Sequence, residues 1–300
     1  MTTRKIPLTD LALLLVLATL WGASYAFIKV GVQSIPPVTL IAGRTLIAAG
    51  LLLAVIHYRG MALPRGGAIW ARFAVQACLN SVIPFTLIAW AEQTVDASLA
   101  TILNALSPVF AFLMTWLWRQ EAATVPKLFG VVVGLGGVGL VVGVEALGGW
   151  GRQLGAQAAI VLATVCYAGA AIFGRGFSRL DPMLPAAGSL LCGAVVLVPL
   201  GMVVDRPWQL TPSADSVLAL LGLAVFSTAL ALVIYFRLVR TLGAVGTTAQ
   251  AYLRVPVGVA IGVALLGESL APTAWLGLLG VVVGVAAMTW PEKILPRIAS

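Results

Sequence analysis

Polar and proline residues recur at spacings of three and four inside three long apolar runs. These residues are Gln76, Asn80 and Pro84; Thr101, Asn104 and Pro108; and Thr247, Gln250 and Arg254. Such spacing places the polar groups of each run on one face of a helix. If the runs lie in lipid, that face must point towards protein or water. The pattern therefore predicts either the lining of a central solute-binding cavity or polar contacts that join neighbouring helices.

Arg254 is the most informative of these residues. A cation in the middle of an apolar run is costly and by default indicates function. Its planar guanidinium could bind a ligand carboxylate through two hydrogen bonds, or it could bind backbone carbonyl groups as a structural support. Pro84, Pro108 and Pro256 interrupt backbone hydrogen bonding at similar depths, and we expect helix breaks beside the site there.

Five aromatic residues that carry a polar group lie inside or at the ends of the apolar runs: Trp21, Tyr25, Tyr167, Tyr235 and Tyr252. Each joins an apolar surface to a hydrogen-bonding group, a combination that suits an amphipathic ligand. Ser24 lies between Trp21 and Tyr25 and is assigned to the same site. The alternative is that these rings only pack against other helices or lie at the membrane interface.

The patterns that other chemistries need are missing. The sequence has no G-x-S-x-G elbow and no H-E-x-x-H, and His57 is its only histidine, so we expect no enzyme, no metal site and no cofactor. The G-x-G-x-x-G pattern at 134–139 lies in the middle of an apolar run, which argues against dinucleotide binding. All acidic residues lie at run ends or in loops, which favours facilitated transport over proton exchange.

The composition requires that membrane-spanning helices hold these residues. Of the 300 residues, 61% are apolar and 9% are charged, and the mean hydropathy is +1.06. A soluble domain carries about 25% charge. The net charge of +8 is spread thinly between the runs, so nucleic acid is not an expected partner. Ten runs can cross a bilayer, and we number them as spans 1 to 10 in this order: 9–30, 37–57, 68–90, 97–117, 125–144, 154–174, 183–204, 214–236, 245–266 and 272–290.

The lysine and arginine residues orient these spans. If the N-terminus is cytoplasmic, thirteen of them fall on the cytoplasmic side and only Lys29, Arg152 and Arg206 fall on the other side. Because cytoplasmic loops are rich in such residues, the bias predicts a multi-pass protein with both termini in the cytoplasm.

The two halves of the chain resemble each other. Residues 17–55 align without a gap on 162–200, and twelve of the 39 positions are identical. This alignment divides the chain into units 1–148 and 149–300. Each unit holds five spans, an odd number, so the second unit must cross the membrane in the inverted sense. Two inverted repeats around a midplane site suit alternating access.

The repeat, the ten spans and several motifs together resemble the EamA-type transporters of the drug/metabolite transporter superfamily. The motif residues are Trp21-Gly22, Lys29, Arg44, Ser107-Pro108, Pro256, Glu121 and Glu268. The resemblance implies ten transmembrane helices, with spans 1, 3, 4, 6, 8 and 9 around a central cavity, and export of small organic solutes such as aromatic amino acids across the bacterial cytoplasmic membrane. Because span 2 is peripheral in that pattern, we expect Arg44 to brace the bundle or to extend towards the interface.

We therefore expect an all-α membrane protein that exports amino acids with aromatic or apolar side chains. A proton-coupled exporter of drugs or other metabolites is the alternative, and an intramembrane enzyme or a scaffold is a remoter one. Glu121 and Glu268 either gate the cavity or cap neighbouring helix ends. The G-V-V-V-G runs at 130–134 and 280–284 allow close helix packing, either within the scaffold or in a homodimer.

Overall fold

The described chain consists of helices. The computed structural model describes residues 8–119, 124–142, 152–235, 237–238, 241 and 250–289, and this part contains no strand. Seven helices are long and apolar enough to cross a membrane: Leu8–Gly31, Pro37–Tyr58, Gly67–Ala91, Ala97–Leu117, Gln153–Phe177, Met183–Val204 and Ala214–Tyr235. Three shorter apolar helices are Val125–Leu140, Leu253–Leu266 and Pro272–Ala287. The prediction of an all-α membrane protein is confirmed, whereas the count of ten spans stays a prediction.

Local sequence signals set several helix ends. Span 2 begins at Pro37, where the fixed φ of proline suits the first helical position. Span 8 begins after Ser213, whose hydroxyl accepts a hydrogen bond from the backbone N–H of Ser216 at 3.2 Å. Span 9 ends before Gly267, whose φ of +67° lies in the left-handed region that glycine adopts without strain.

Consecutive spans run in opposite directions, so the bundle has two ends. At the first, which we call the Lys29 end, Thr39 contacts Asp205 and Ser34 contacts Ser213. At the second, which we call the His57 end, Arg72 donates to the carbonyl of Gly176 at 3.0 Å. Short connectors between antiparallel helices account for this alternation.

The packing of the spans is symmetrical in pattern. Span 2 packs on span 7, span 4 on span 9, and span 5 on span 10. Span 1 packs on spans 8 and 9, and span 6 packs on spans 3 and 4. Spans 1 to 5 correspond to spans 6 to 10 in this pattern. The contacts of span 1 with spans 8 and 9 correspond to those of span 6 with spans 3 and 4, and each of the other three contacts joins two corresponding spans.

Spans 5 and 10 meet through bare backbone. A Cβ atom added to Gly137 would lie 2.7 Å from the carbonyl oxygen of Gly277, and one added to Gly284 would lie 2.6 Å from the backbone nitrogen of Gly134. Glycine is required there because any side chain would separate the two helices. The close packing predicted for the G-V-V-V-G runs therefore occurs between them, while the homodimer stays a prediction.

Two spans contain a π-helical turn that the sequence analysis does not predict. Span 3 changes to a π-helix at Cys78–Val82 and resumes as an α-helix at Ile83, just before Pro84. Span 8 does the same at Val225–Leu230. Such turns contain one residue more than an α-helix needs and are frequent at functional sites.

Of the three predicted helix breaks, the structure has the one at Pro108, whereas span 3 continues through Pro84 after its π-turn. The first helix of span 4 ends at Asn104, and the second begins at Ser107-Pro108. Span 9, in contrast, continues as an α-helix through Pro256, so the prediction of a helix break at this proline is wrong. Span 1 supports the helix at this point, because Gly22 packs directly on the backbone of Arg254 and Gly258.

Candidate functional site

A cavity of about 270 Å³ lies among the spans. Seven of the residues assigned to it from the sequence line it: Trp21, Ser24, Tyr25, Asn80, Asn104, Tyr167 and Arg254. Eleven further residues line it: Arg44, Ser81, Phe85, Ser107, Ala186, Ser189, Leu190, Leu223, Ser227, Thr228 and Leu232. Spans 2 and 7 thus contribute in addition to the spans that the resemblance implies. Such a mixed aromatic and polar lining is typical of small-molecule sites.

Three residues predicted to line the cavity instead pack between helices. The Gln76 amide lies beside Gly174 of span 6, and its carbonyl oxygen has no partner in the described part of the chain. Thr101 donates to the carbonyl of Ala97 at 2.8 Å and packs against span 9. Tyr235 packs on Trp21, with ring centroids 5.6 Å apart. For these three residues the structure supports the packing interpretation.

The structure does not describe the side chains of three further predicted residues. Glu121 lies outside the described residues. Gln250 and Tyr252 belong to the helix of span 9, but their side chains lie outside the description, so their assignment stays a prediction.

Arg44 is the main lining residue that the sequence analysis places elsewhere. It is 5% exposed, and its Nε donates to Thr228 Oγ1 at 2.9 Å. Its Nη1 lies 3.5 Å from Ser81 Oγ, and its guanidinium lies 3.5 Å from the ring centroid of Phe85. Arg44 thus braces spans 2, 3 and 8, as expected, but it does so at the cavity and not at the periphery. Its position in the middle of an apolar run was the signal that could have shown this.

The π-turns present the partners of Arg44 and two further polar groups. Asn80 and Ser81 lie in the turn of span 3, and Ser227 and Thr228 lie in the turn of span 8. All four line the cavity. Asn80 and Ser227 lie 147 residues apart, and so do Ser81 and Thr228. The two π-turns begin with the same separation, so the two halves of the chain supply these groups from equivalent turns.

The break in span 4 contributes hydrogen-bonding groups. The Asn104 amide donates to the hydroxyl of Tyr25, and Ser107 donates to the carbonyl of Asn104 at 2.9 Å. The break places Asn104 and Ser107 in the cavity lining, beside the Tyr25 hydroxyl.

Arg254 is the second positively charged residue in the cavity lining, after Arg44. It lines both this cavity and a second one of about 130 Å³ between spans 4, 9 and 10. Its Nε is buried and has no hydrogen-bond partner within the described residues. The described lining of both cavities contains no carboxylate, so Arg44 and Arg254 give the site a positive potential.

A cluster of charged residues joins the spans at the Lys29 end. The Glu268 carboxylate accepts from the backbone N–H groups of Ala97 and Ser98 at 2.7 and 2.9 Å, and it also accepts from the Ser98 hydroxyl. It therefore caps the N-terminus of span 4, so the capping interpretation of Glu268 agrees with the structure. Lys29 donates to backbone carbonyls at the end of span 3.

The described residues contain no group of three or more His, Cys, Asp or Glu that could hold a metal ion. The cavity lining offers hydrogen-bonding groups, two guanidinium groups and aromatic surface. A mixed polar and aromatic cavity enclosed by the helices of a membrane protein is typical of solute transporters.

Comparison with known proteins identifies the family. The EamA-like transporter family model matches residues 9–143 and again 154–290, so the chain belongs to this family and is a membrane transporter. The uncharacterized inner membrane transporter YedA of Escherichia coli (strain K12) is 27% identical over 94% of this chain and 91% of its own length. A probable terminal-alkyne amino-acid exporter of Streptantibioticus cattleyicolor is 25% identical over 92% of this chain and 91% of its own length.

The fold agrees with a solved protein. One crystal structure matches with a TM-score of 0.66 at 18% sequence identity, and the match covers 94% of this chain and 96% of that one. At this identity the likeness shows the fold.

Proposed function

We propose that this transporter exports amino acids with apolar or aromatic side chains across the bacterial cytoplasmic membrane. The observation that carries the proposal is the pair of guanidinium groups, Arg44 and Arg254, in a cavity whose described lining has no carboxylate. A ligand that enters must neutralise part of this charge, and a carboxylate does so with matched geometry. The similarity to YedA, an inner membrane transporter, and to the probable amino-acid exporter supports the proposal.

The rest of the lining suits the remainder of such a ligand. Trp21, Phe85 and Tyr167 offer aromatic surface for an apolar side chain. The oxygen atoms of Tyr25 and Asn104 can accept hydrogen bonds from an ammonium group. Arg254 binds the carboxylate in this proposal, because its Nε lacks a partner whereas Arg44 already has two.

Alternating access is the mechanism that we propose. Units 1–148 and 149–300 act as two inverted repeats that rock around the cavity, and the symmetrical pattern of helix contacts supports this division. With both termini in the cytoplasm, the Lys29 end faces outwards. The contacts of Lys29 and Glu268 then close the outward side. Transport is facilitated and runs down the substrate gradient.

The test is efflux of labelled phenylalanine from proteoliposomes. Arg254→Gln removes the charge and one of the two hydrogen bonds to the carboxylate. Loss of one charge-assisted hydrogen bond typically costs about 1.5–3 kcal/mol, so we expect substrate affinity to fall by about 10- to 150-fold. Arg254→Lys keeps the charge but loses the planar fork, so it should recover only part of the transport. Arg65→Gln, which changes an exposed arginine in a connector, is the matched control and should transport normally.

The result can also contradict the proposal. If Arg254→Gln protein elutes as a single species and still transports at the normal rate, Arg254 is a structural support and carboxylate binding is refuted.

The second candidate is an exporter of amphipathic drugs. The aromatic lining favours it, but a cationic drug would be repelled by the two guanidinium groups. Efflux of organic cations without efflux of amino acids would select this candidate.

A further inference from the structure

Glu92 is a carboxylic acid that the proposed function does not use. It follows Ala91 directly after span 3 and is fully buried. Neither of its carboxylate oxygens has a hydrogen-bond partner within the described residues. Burying an ionised carboxylate without such partners costs several kcal/mol, and a group in that position takes up a proton instead.

The charged groups around Glu92 are engaged elsewhere. Lys29 of span 1 donates to the backbone carbonyls of Glu92 and Val95 at 2.9 and 2.7 Å, and its Nζ lies 3.8 Å from Asp96 Oδ1. Glu268, from the connector between spans 9 and 10, is held by the N-terminus of span 4. These are the charged groups that face Glu92 in the described part of the chain.

The balance of these effects favours the neutral acid. Burial raises the pKa of Glu92 well above its usual value, and the neighbouring Glu268 raises it further, while Lys29 lowers it. Burial has the largest effect of the three. A raised pKa means that the closed arrangement binds the proton and that exposure to water releases it.

We propose that Glu92 is a proton-binding site that controls opening of the Lys29 end. In the closed state the acid is neutral and packed. When the ends of spans 1, 3, 4 and 9 separate, Glu92 gives its proton to water on that side, and its carboxylate pairs with Lys29. Closure takes a proton back from the same side, so no net proton crosses the membrane.

This linkage makes opening depend on pH. Because opening releases one proton, the ratio of open to closed molecules rises with pH, by up to about tenfold per pH unit. The inference does not depend on the substrate, so failure of amino-acid transport would leave it standing.

The test is the accessibility of a buried cysteine at this end. Ala100 is fully buried in span 4 in the same apolar cluster as Val95, so Ala100→Cys should react with a maleimide only after opening. The background replaces Cys78, Cys166 and Cys192 by serine. Labelling is measured in nanodiscs over a range of pH.

Glu92→Gln in the same background is the reference, because it is permanently neutral and reports only the pH dependence of the thiol reaction. We expect the labelling rate of the Glu92 protein to rise by several-fold per pH unit relative to Glu92→Gln. Asp205→Asn, at the same end but on a carboxylate hydrogen-bonded to Thr39, should keep the slope of the Glu92 protein. A rate ratio that does not change with pH would overturn the proposal.

A second measurement needs no substitution. The infrared spectrum of protein with isotope-labelled glutamate should show a protonated carboxylic acid at neutral pH. Complete ionisation of all glutamates at neutral pH would show that buried Glu92 is charged, and the proposal would be wrong.

Discussion

Replacing Gly137 by alanine tests the contact between spans 5 and 10. The new Cβ would meet three backbone atoms of span 10 at 2.7, 2.8 and 3.0 Å, and backbone cannot move aside as a flexible side chain can. Overpacking of this kind costs about 1–3 kcal/mol. Alanine also favours the helix by about 1 kcal/mol over glycine, so the net loss of stability is smaller than the overpacking.

Gly139→Ala separates these two effects. A Cβ at Gly139 meets nothing within 4 Å, so this variant gains the helix preference without the clash. The difference between the two variants therefore measures the clash alone. At about 2 °C per kcal/mol for a chain of this length, we expect Gly137→Ala to melt about 2–6 °C below Gly139→Ala. Thermal unfolding in the same detergent measures both.

The opposite order would refute the reasoning. If Gly137→Ala melts at or above the temperature of Gly139→Ala, spans 5 and 10 do not meet through backbone. The assignment of these spans to the scaffold would then lose its structural basis.

Three further predictions follow from the site and the topology. Glu268→Gln removes the charge from the cap of span 4 and should lower stability by about 1–2 kcal/mol, measured by thermal unfolding; an unchanged melting temperature would contradict the capping role. Reporters that are active only outside the cytoplasm should stay inactive when fused to either terminus, and activity at one terminus would reverse the orientation. Efflux should continue after the proton gradient is collapsed, whereas strict dependence on that gradient would refute facilitated transport.

The fold follows from features that a sequence displays directly. Apolar runs of sufficient length must form helices in lipid, because no water is available to satisfy the backbone. The glycines of spans 5 and 10 likewise predict close helix–helix packing, although the sequence leaves open whether the partner helix lies in the same chain or in a second copy. These properties are local, so they can be predicted without knowledge of the packing.

The site is less predictable, because helical spacing identifies a face only while the helix stays regular. Gln76 and Asn80 share a face in an α-helix, but a π-turn begins between them, and only Asn80 reaches the cavity. The sequence has no recognised signal for that turn. The family pattern puts span 2, and Arg44 with it, at the periphery of the bundle. The structure shows that a single residue of such a span can still reach the central cavity.

Each π-turn means that its span carries one residue beyond the α-helical count. Deleting a residue there would restore a regular α-helix and turn the remainder of the span by about 100°. In span 3 the rotation would carry Phe85 away from Arg44, and in span 8 it would alter the part that contains Leu232. The length of these two spans, and not only their composition, thus determines which side chains a transported molecule meets.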